Sequence, residues 1–123
     1  YELTKGFRFD AAHTLDRTIH ADGSRRIHGH SYRAEVTLRG APDPASGMIM
    51  DTSRLGLLLE ETRDALDHRL LDEVDGLGPG TLENLAAFIW RRLEGRAPGL
   101  CSVTVFRDST DDRVRYLGED VAV

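Results

Sequence analysis

The sequence predicts an α+β fold: a four-stranded antiparallel sheet with two helices on one face, in the order β-β-α-α-β-β. Three observations predict it. Apolar and polar residues alternate at both ends of the chain. In the middle, apolar residues recur at helical spacing. Glycine- and proline-rich segments separate these stretches.

The first alternation, Phe7, Phe9 and Ala11, predicts a strand from about Glu2 to His13. The second, Tyr32, Ala34, Val36 and Leu38, predicts a strand ending at Gly40, before the turn region Ala41 to Gly47. Leu55, Leu58, Leu59, Thr62 and Leu66 form one face of a helix, with Asp51 or Ser53 as its cap. Gly76 to Gly80 separates it from a second helix. Thr81 caps that helix, Leu82, Leu85, Ala86, Ile89 and Leu93 form its stripe, and Gly95 and Pro98 end it. Arg91 and Arg92 suit its C-terminal dipole. Leu100 to Phe106 and Arg113 to Leu117 read as the last two strands, with Asp108 to Asp112 as the turn between them. Cys101 falls inside a strand as a small core residue. A sheet covered on one face leaves its edges and other face open, and assembly with further subunits would cover them.

The connection Thr14 to Ile27 is long for a hairpin, where loops of about two to five residues are usual. Chemistry is therefore sought beside it. Residues two apart on a strand share a face. His28 and His30 share the parity of Tyr32, Ala34 and Val36, at the start of the second strand. His13 shares the parity of Phe7, Phe9 and Ala11, at the end of the first. Antiparallel pairing brings the three imidazoles to one end of one sheet face. Three neutral imidazoles with a fourth position open suit a catalytic zinc site. A structural zinc would call for a fourth protein ligand, and the one cysteine is far along the chain. Asp67-His68 closes the predicted first helix. It reads either as a histidine favoured by the helix dipole or as a hydrogen-bonded acid/base pair.

Composition narrows the class. The 123 residues suit a single domain, 1–123. A net charge of −5 and a pI near 5.5 argue against nucleic acid as the partner. Arg17, Arg25 and Arg26 leave room for a local anion site, with a solvated loop as the other reading. One cysteine permits no intrachain disulfide, and no stretch approaches the ~18 apolar residues of a membrane span. A cytoplasmic protein is expected.

Phe9-Asp-Ala-Ala-His13, His28-Gly-His30, Gly47-Met-Ile-Met-Asp51, Leu66-Asp-His-Arg69 and Thr81-Leu-Glu-Asn-Leu-Ala86 together resemble the 6-pyruvoyltetrahydropterin synthase and 6-carboxytetrahydropterin synthase family. The resemblance covers nearly the whole chain. It implies the tunnelling fold, a homo-hexamer built as a dimer of trimers, and active sites between subunits. It implies zinc on His13, His28 and His30, polarising the side chain of a pterin such as 7,8-dihydroneopterin triphosphate. It implies Asp67 and His68 as catalytic residues. The family's catalytic cysteine position is Ser24 here, a far poorer base. The glutamate that anchors the pterin ring falls at Asp108, followed by Ser109, with Thr81 as a further pocket residue. The reading is a zinc-dependent lyase on a pterin side chain with altered chemistry. The alternatives are a non-catalytic zinc protein binding a pterin- or purine-like ligand, and a structural zinc module.

Overall fold

The computed structural model describes residues 1–19 and 21–118. Four strands, β1 (Glu2–His13), β2 (His28–Arg39), β3 (Leu100–Arg107) and β4 (Asp112–Tyr116), pair antiparallel in chain order. Between β1 and β2 lies a short helix, α1 (Ala21–Arg25). Helices α2 (Thr52–Asp64) and α3 (Leu82–Leu93) follow β2. The strand alternation, the two main helices and their order match the sequence expectation.

One sheet face carries Phe9, Ala11 and His13 from β1, Tyr32, Ala34, Val36 and Leu38 from β2, and Val103 and Val105 from β3, all buried. Leu55 and Leu59 of α2, and Leu85, Ile89 and Leu93 of α3, complete this core. Each such side chain contributes roughly 1.5–3 kcal/mol when removed from water. Phe9 and Tyr32 stack across β1 and β2 with ring centroids 5.0 Å apart. Trp90 meets Tyr116 edge-on at 5.3 Å and ties α3 to β4. The opposite face is polar, with Arg8, Arg33, Glu35, Arg113 and Arg115 among its residues.

Capping follows the side-chain chemistry. Asp51, not Ser53, caps α2, accepting the Ser53 amide at 2.8 Å. Thr81 caps α3 through the Asn84 amide at 3.2 Å. The β2–β3 ladder shifts register between Thr37 and Leu38. There the Gly99 carbonyl accepts the Arg39 amide at 2.8 Å. Gly99 has φ +86, and a Cβ would stand 2.5 Å from the Arg39 carbonyl oxygen, so glycine is required.

Three elements depart from the sequence reading. The long connection is not all loop: α1 forms where the Ser24 hydroxyl donates to the Ala21 carbonyl at 2.9 Å. The strand β3 runs one residue further, to Arg107. Helix α2 stops at Asp64, so Asp67 and His68 lie beyond its last turn rather than in it. The Leu66 and Asp67 amides still bond the Arg63 carbonyl, at 2.9 and 2.7 Å. His68 then turns left-handed, with φ +57, and its amide donates to the Asp10 carbonyl at 2.7 Å. The helix therefore ends because residues 68–70 lie along the edge of β1. The Ala12 amide bonds the Arg69 carbonyl at 3.0 Å, and Ala12 and Leu70 form a parallel bridge.

Candidate active site

The β1–β2 register sets His13 opposite His28 and Ala11 opposite His30. The three imidazoles converge at one end of the covered face. Their ring centroids are 4.5 Å (His13–His28), 4.8 Å (His13–His30) and 4.9 Å (His28–His30) apart. One ligand nitrogen from each falls within 4.8 Å of the others.

Hydrogen bonds fix which nitrogens face inward. His13 Nδ1–H donates to the Gly80 carbonyl at 2.8 Å. His28 Nδ1–H donates to the Arg26 carbonyl at 2.7 Å. Each leaves a bare Nε2, and these two atoms lie 2.9 Å apart. In those tautomers two lone pairs face each other, which is repulsive without a cation between them. Burial also disfavours charge on the rings. It lowers the pKa of His13, and it is the main cause lowering His30 to about 4, with the His13 charge second. Two imidazoles with Nδ1 held by carbonyls and bare Nε2 atoms facing each other, beside the buried His30, fit a divalent metal, and nitrogen donors suit zinc.

Gly80 is a site residue that the sequence reading treated as spacer. A Cβ there would meet Leu71 Cβ at 3.1 Å and His13 Cβ at 3.2 Å. Glycine is what lets its carbonyl reach His13.

Asp67 and His68 form a second cluster. Asp67 Oδ2 accepts His68 Nδ1–H at 2.8 Å and Arg63 Nη2 at 3.0 Å, and its Oδ1 accepts the Asp10 amide at 2.9 Å. The Asp10 amide is the first cause of its lowered pKa, with burial opposing and His68 and Arg63 adding to it. The carboxylate side chain is 11% exposed, whereas that of His68 is 78% exposed. Nδ1–H is thus committed, and His68 presents a bare Nε2 to solvent, the arrangement of a general base. His68 and the metal-type ligand His30 line one cavity of about 500 Å³, with Gly29 and Ser31.

The other expected site residues are spread apart. Ser24 is buried, but its hydroxyl is engaged with the Ala21 carbonyl and the Arg17 amide, the latter at 3.3 Å. Its carbonyl accepts the Leu15 amide at 2.7 Å, so it pins the loop to α1. Arg25 pairs with Asp16 at 3.0 Å. Thr81 lines a second cavity, of about 600 Å³, with Arg17, Glu83, Arg107 and Asp112. Asp108 and Ser109 do not line it. Asp108 faces Arg33 at 3.4 Å and Arg8 at 3.9 Å. The buried residue at this end of β3 is Arg107, and its charge reaches His13 and His30. The parity of Val103 and Val105 already placed Arg107 on the covered face, and this was the signal available in the sequence.

A family model described as 6-pyruvoyl tetrahydropterin synthase matches residues 2–119. The chain belongs to this family. It is 38% identical over 114 residues to a 6-carboxy-5,6,7,8-tetrahydropterin synthase of Synechocystis, covering 88% of this chain and 87% of that one. It is 36% identical over 97 residues to the human 6-pyruvoyl tetrahydrobiopterin synthase, covering 75% and 67%. The structure of the Caenorhabditis elegans 6-pyruvoyl tetrahydropterin synthase superposes with a TM-score of 0.82 at 27% identity, covering 97% of this chain and 96% of that one. A Plasmodium vivax homologue at 19% identity, with a TM-score of 0.71 over 95% and 98%, shares the fold. This family member has no helix, among the described residues, long and apolar enough to cross a membrane.

Proposed function

We propose that the protein is a zinc-dependent lyase acting on the side chain of a dihydropterin, 7,8-dihydroneopterin triphosphate or a relative, with His68 rather than a cysteine as its base. The observation that carries this is the cavity lined by both His30 and His68, with the Nδ1–H of His68 held by Asp67. His13, His28 and His30 would hold the zinc, and the tautomers that carbonyls fix on His13 and His28 fit it. When bound, zinc supplies Lewis-acid polarisation of the ligand's side-chain oxygens. His68 accepts a proton from a side-chain hydroxyl or the adjacent C–H. Asp67 holds the ring and stabilises its protonated form. With Ser24 in place of the family's cysteine and its hydroxyl engaged with the backbone, side-chain carbon–carbon cleavage or epimerisation is favoured over full elimination. In this reading the ring would occupy the cavity that Thr81 lines.

Relatives of 38% and 36% identity named for pterin synthesis support the substrate class. A homo-hexamer would cover the edge of β4 and the part of β1 that residues 68–70 leave open. A lone cysteine, which permits no intrachain disulfide, fits a reducing compartment such as the cytoplasm.

The test is product chromatography after incubating zinc-loaded protein with dihydroneopterin triphosphate. Wild type, His68→Ala and Ser24→Cys are compared. Turnover by wild type, lost in His68→Ala, supports the proposal. Tight binding without turnover by any variant favours the non-catalytic pterin binder, a reading that the engaged Ser24 hydroxyl motivates. Turnover that survives His68→Ala unchanged refutes His68 as the base.

A further inference from the structure

The edge of β1 beside the Asp67–His68 pair is occupied by the chain that runs out of α2. The Arg8 carbonyl accepts Arg63 Nε–H at 2.8 Å. The Asp10 amide donates to Asp67 Oδ1, and the Asp10 carbonyl accepts the His68 amide. The Ala12 amide donates to the Arg69 carbonyl. Arg63 stands in the last turn of α2, four residues before Asp67, and its Nη2 lies 3.0 Å from Asp67 Oδ2. The guanidinium is therefore held from two sides, by β1 backbone and by the carboxylate. That same Oδ2 accepts His68 Nδ1–H at 2.8 Å. One carboxylate oxygen thus serves a permanent cation and an imidazole together.

The rest of the surroundings favour a charged His68. Asp10 of β1 brings a second carboxylate, and one ligand atom each from Asp10, Asp67 and His68 lies within 4.8 Å of the others. Carboxylates beside an imidazole stabilise the imidazolium, which has no lone pair left to accept a proton. The other groups on this side are Arg69, whose Nη2 reaches the Asp64 carbonyl at 3.5 Å, and His30 of β2 across the cavity. Arg63 of α2 is the cation that bonds Asp67. Its charge is felt there: after the Asp10 amide and the bond from His68, it helps hold the Asp67 carboxyl below the usual range. We infer that Arg63 is a positioning residue of this site: by sharing Asp67 Oδ2 it offsets the carboxylate and keeps His68 neutral, with Nε2 free to take a proton. The inference rests on the reading of His68 as the base. It assigns Arg63 a role that acts through Asp67 and is separate from stapling α2 to β1.

The experiment is an NMR titration of the His68 ring in zinc-loaded protein, with its signals assigned by their loss in His68→Ala. Wild type, Arg63→Met, Arg63→Gln and Arg63→Lys are compared. The Arg63 side chain is 42% exposed, so its loss should raise the pH midpoint of His68 protonation by roughly half a unit. Arg63→Met and Arg63→Gln should both show that rise, and Arg63→Lys, which keeps the charge, should stay near wild type. Turnover of dihydroneopterin triphosphate by the two uncharged variants should fall about threefold on the acid side of the midpoint and rejoin wild type at high pH. A midpoint unchanged in both uncharged variants overturns the inference, as does a loss of rate that is equal at every pH. The midpoint is read without any reaction, so the two readings fail separately. A raised midpoint in a protein that turns nothing over supports the effect of Arg63 on His68 and removes His68 as the base.

Discussion

Substituting Gly80 by alanine tests the link between the α3 cap and the three histidines of the proposed metal site. The added methyl group would meet Leu71 Cβ at 3.1 Å, His13 Cβ at 3.2 Å and Leu71 Cδ1 at 3.3 Å. Both neighbours are fully buried, so neither can swing into solvent. Relief must come from a shift of a few tenths of an ångström between β1 and the segment that leads into α3. Overpacking of this kind costs about 1–3 kcal/mol. For a chain of this size that is a fall in Tm of roughly 5–10 °C. The same shift lengthens the 2.8 Å bond from His13 Nδ1 to the Gly80 carbonyl. Loss of such an outer hydrogen bond typically lowers metal affinity by about 10–100-fold. Zinc affinity would be measured by competition with a chromophoric chelator, alongside thermal melts. Gly23→Ala is the control, since a Cβ there meets nothing within 4 Å. If Gly80→Ala binds zinc as tightly as wild type and melts at the same temperature, the Gly80 carbonyl does not orient His13.

Three further outcomes are expected. Asp67→Asn keeps a hydrogen-bonding group beside His68 but removes its charge, and should lower kcat by about 10²-fold or more with zinc affinity unchanged; an unchanged kcat would remove the pair from the mechanism. The metal-free protein should lose stability as pH falls from about 6.5 to about 4. His30 is pushed down to about 4 by burial and by His13, so in this window the unfolded chain binds the proton and the folded chain does not; Tm of the chelator-treated protein, flat between pH 7 and 5, would contradict this. Ser24→Ala should cost about 1 kcal/mol through the loss of its bonds to the Ala21 carbonyl and the Arg17 amide; urea titration measures it, and a stability equal to wild type would show that these bonds do not hold the loop.

The histidine triad was legible in the sequence because strand parity is a local rule. His13, His28 and His30 needed only the period of two and the assumption of an antiparallel pair, and the register sets His13 opposite His28. The same rule applied to β3 would have set Arg107 inside and Asp108 outside. The resemblance drew attention to Asp108 instead, which the structure sets against Arg33 and Arg8. Gly80 was hidden for a different reason. Its role depends on a contact between residues 67 positions apart, between the cap of α3 and the end of β1. No periodicity reports such a contact, and a glycine before a helix reads equally well as a turn. His68 was hidden in part. Its pairing with Asp67 follows from adjacency, but its left-handed backbone and exposed Nε2 follow from the bond of its amide to the Asp10 carbonyl on β1. That bond also explains why α2 ends without a glycine cap. The edge of β1 offers backbone groups that compete with the next helical turn, and the competition places His68 at the cavity that His30 lines. Helix termination and the positioning of His68 are thus one structural event, so a change that extends α2 past Asp64 should remove His68 from the cavity without touching His13, His28 and His30.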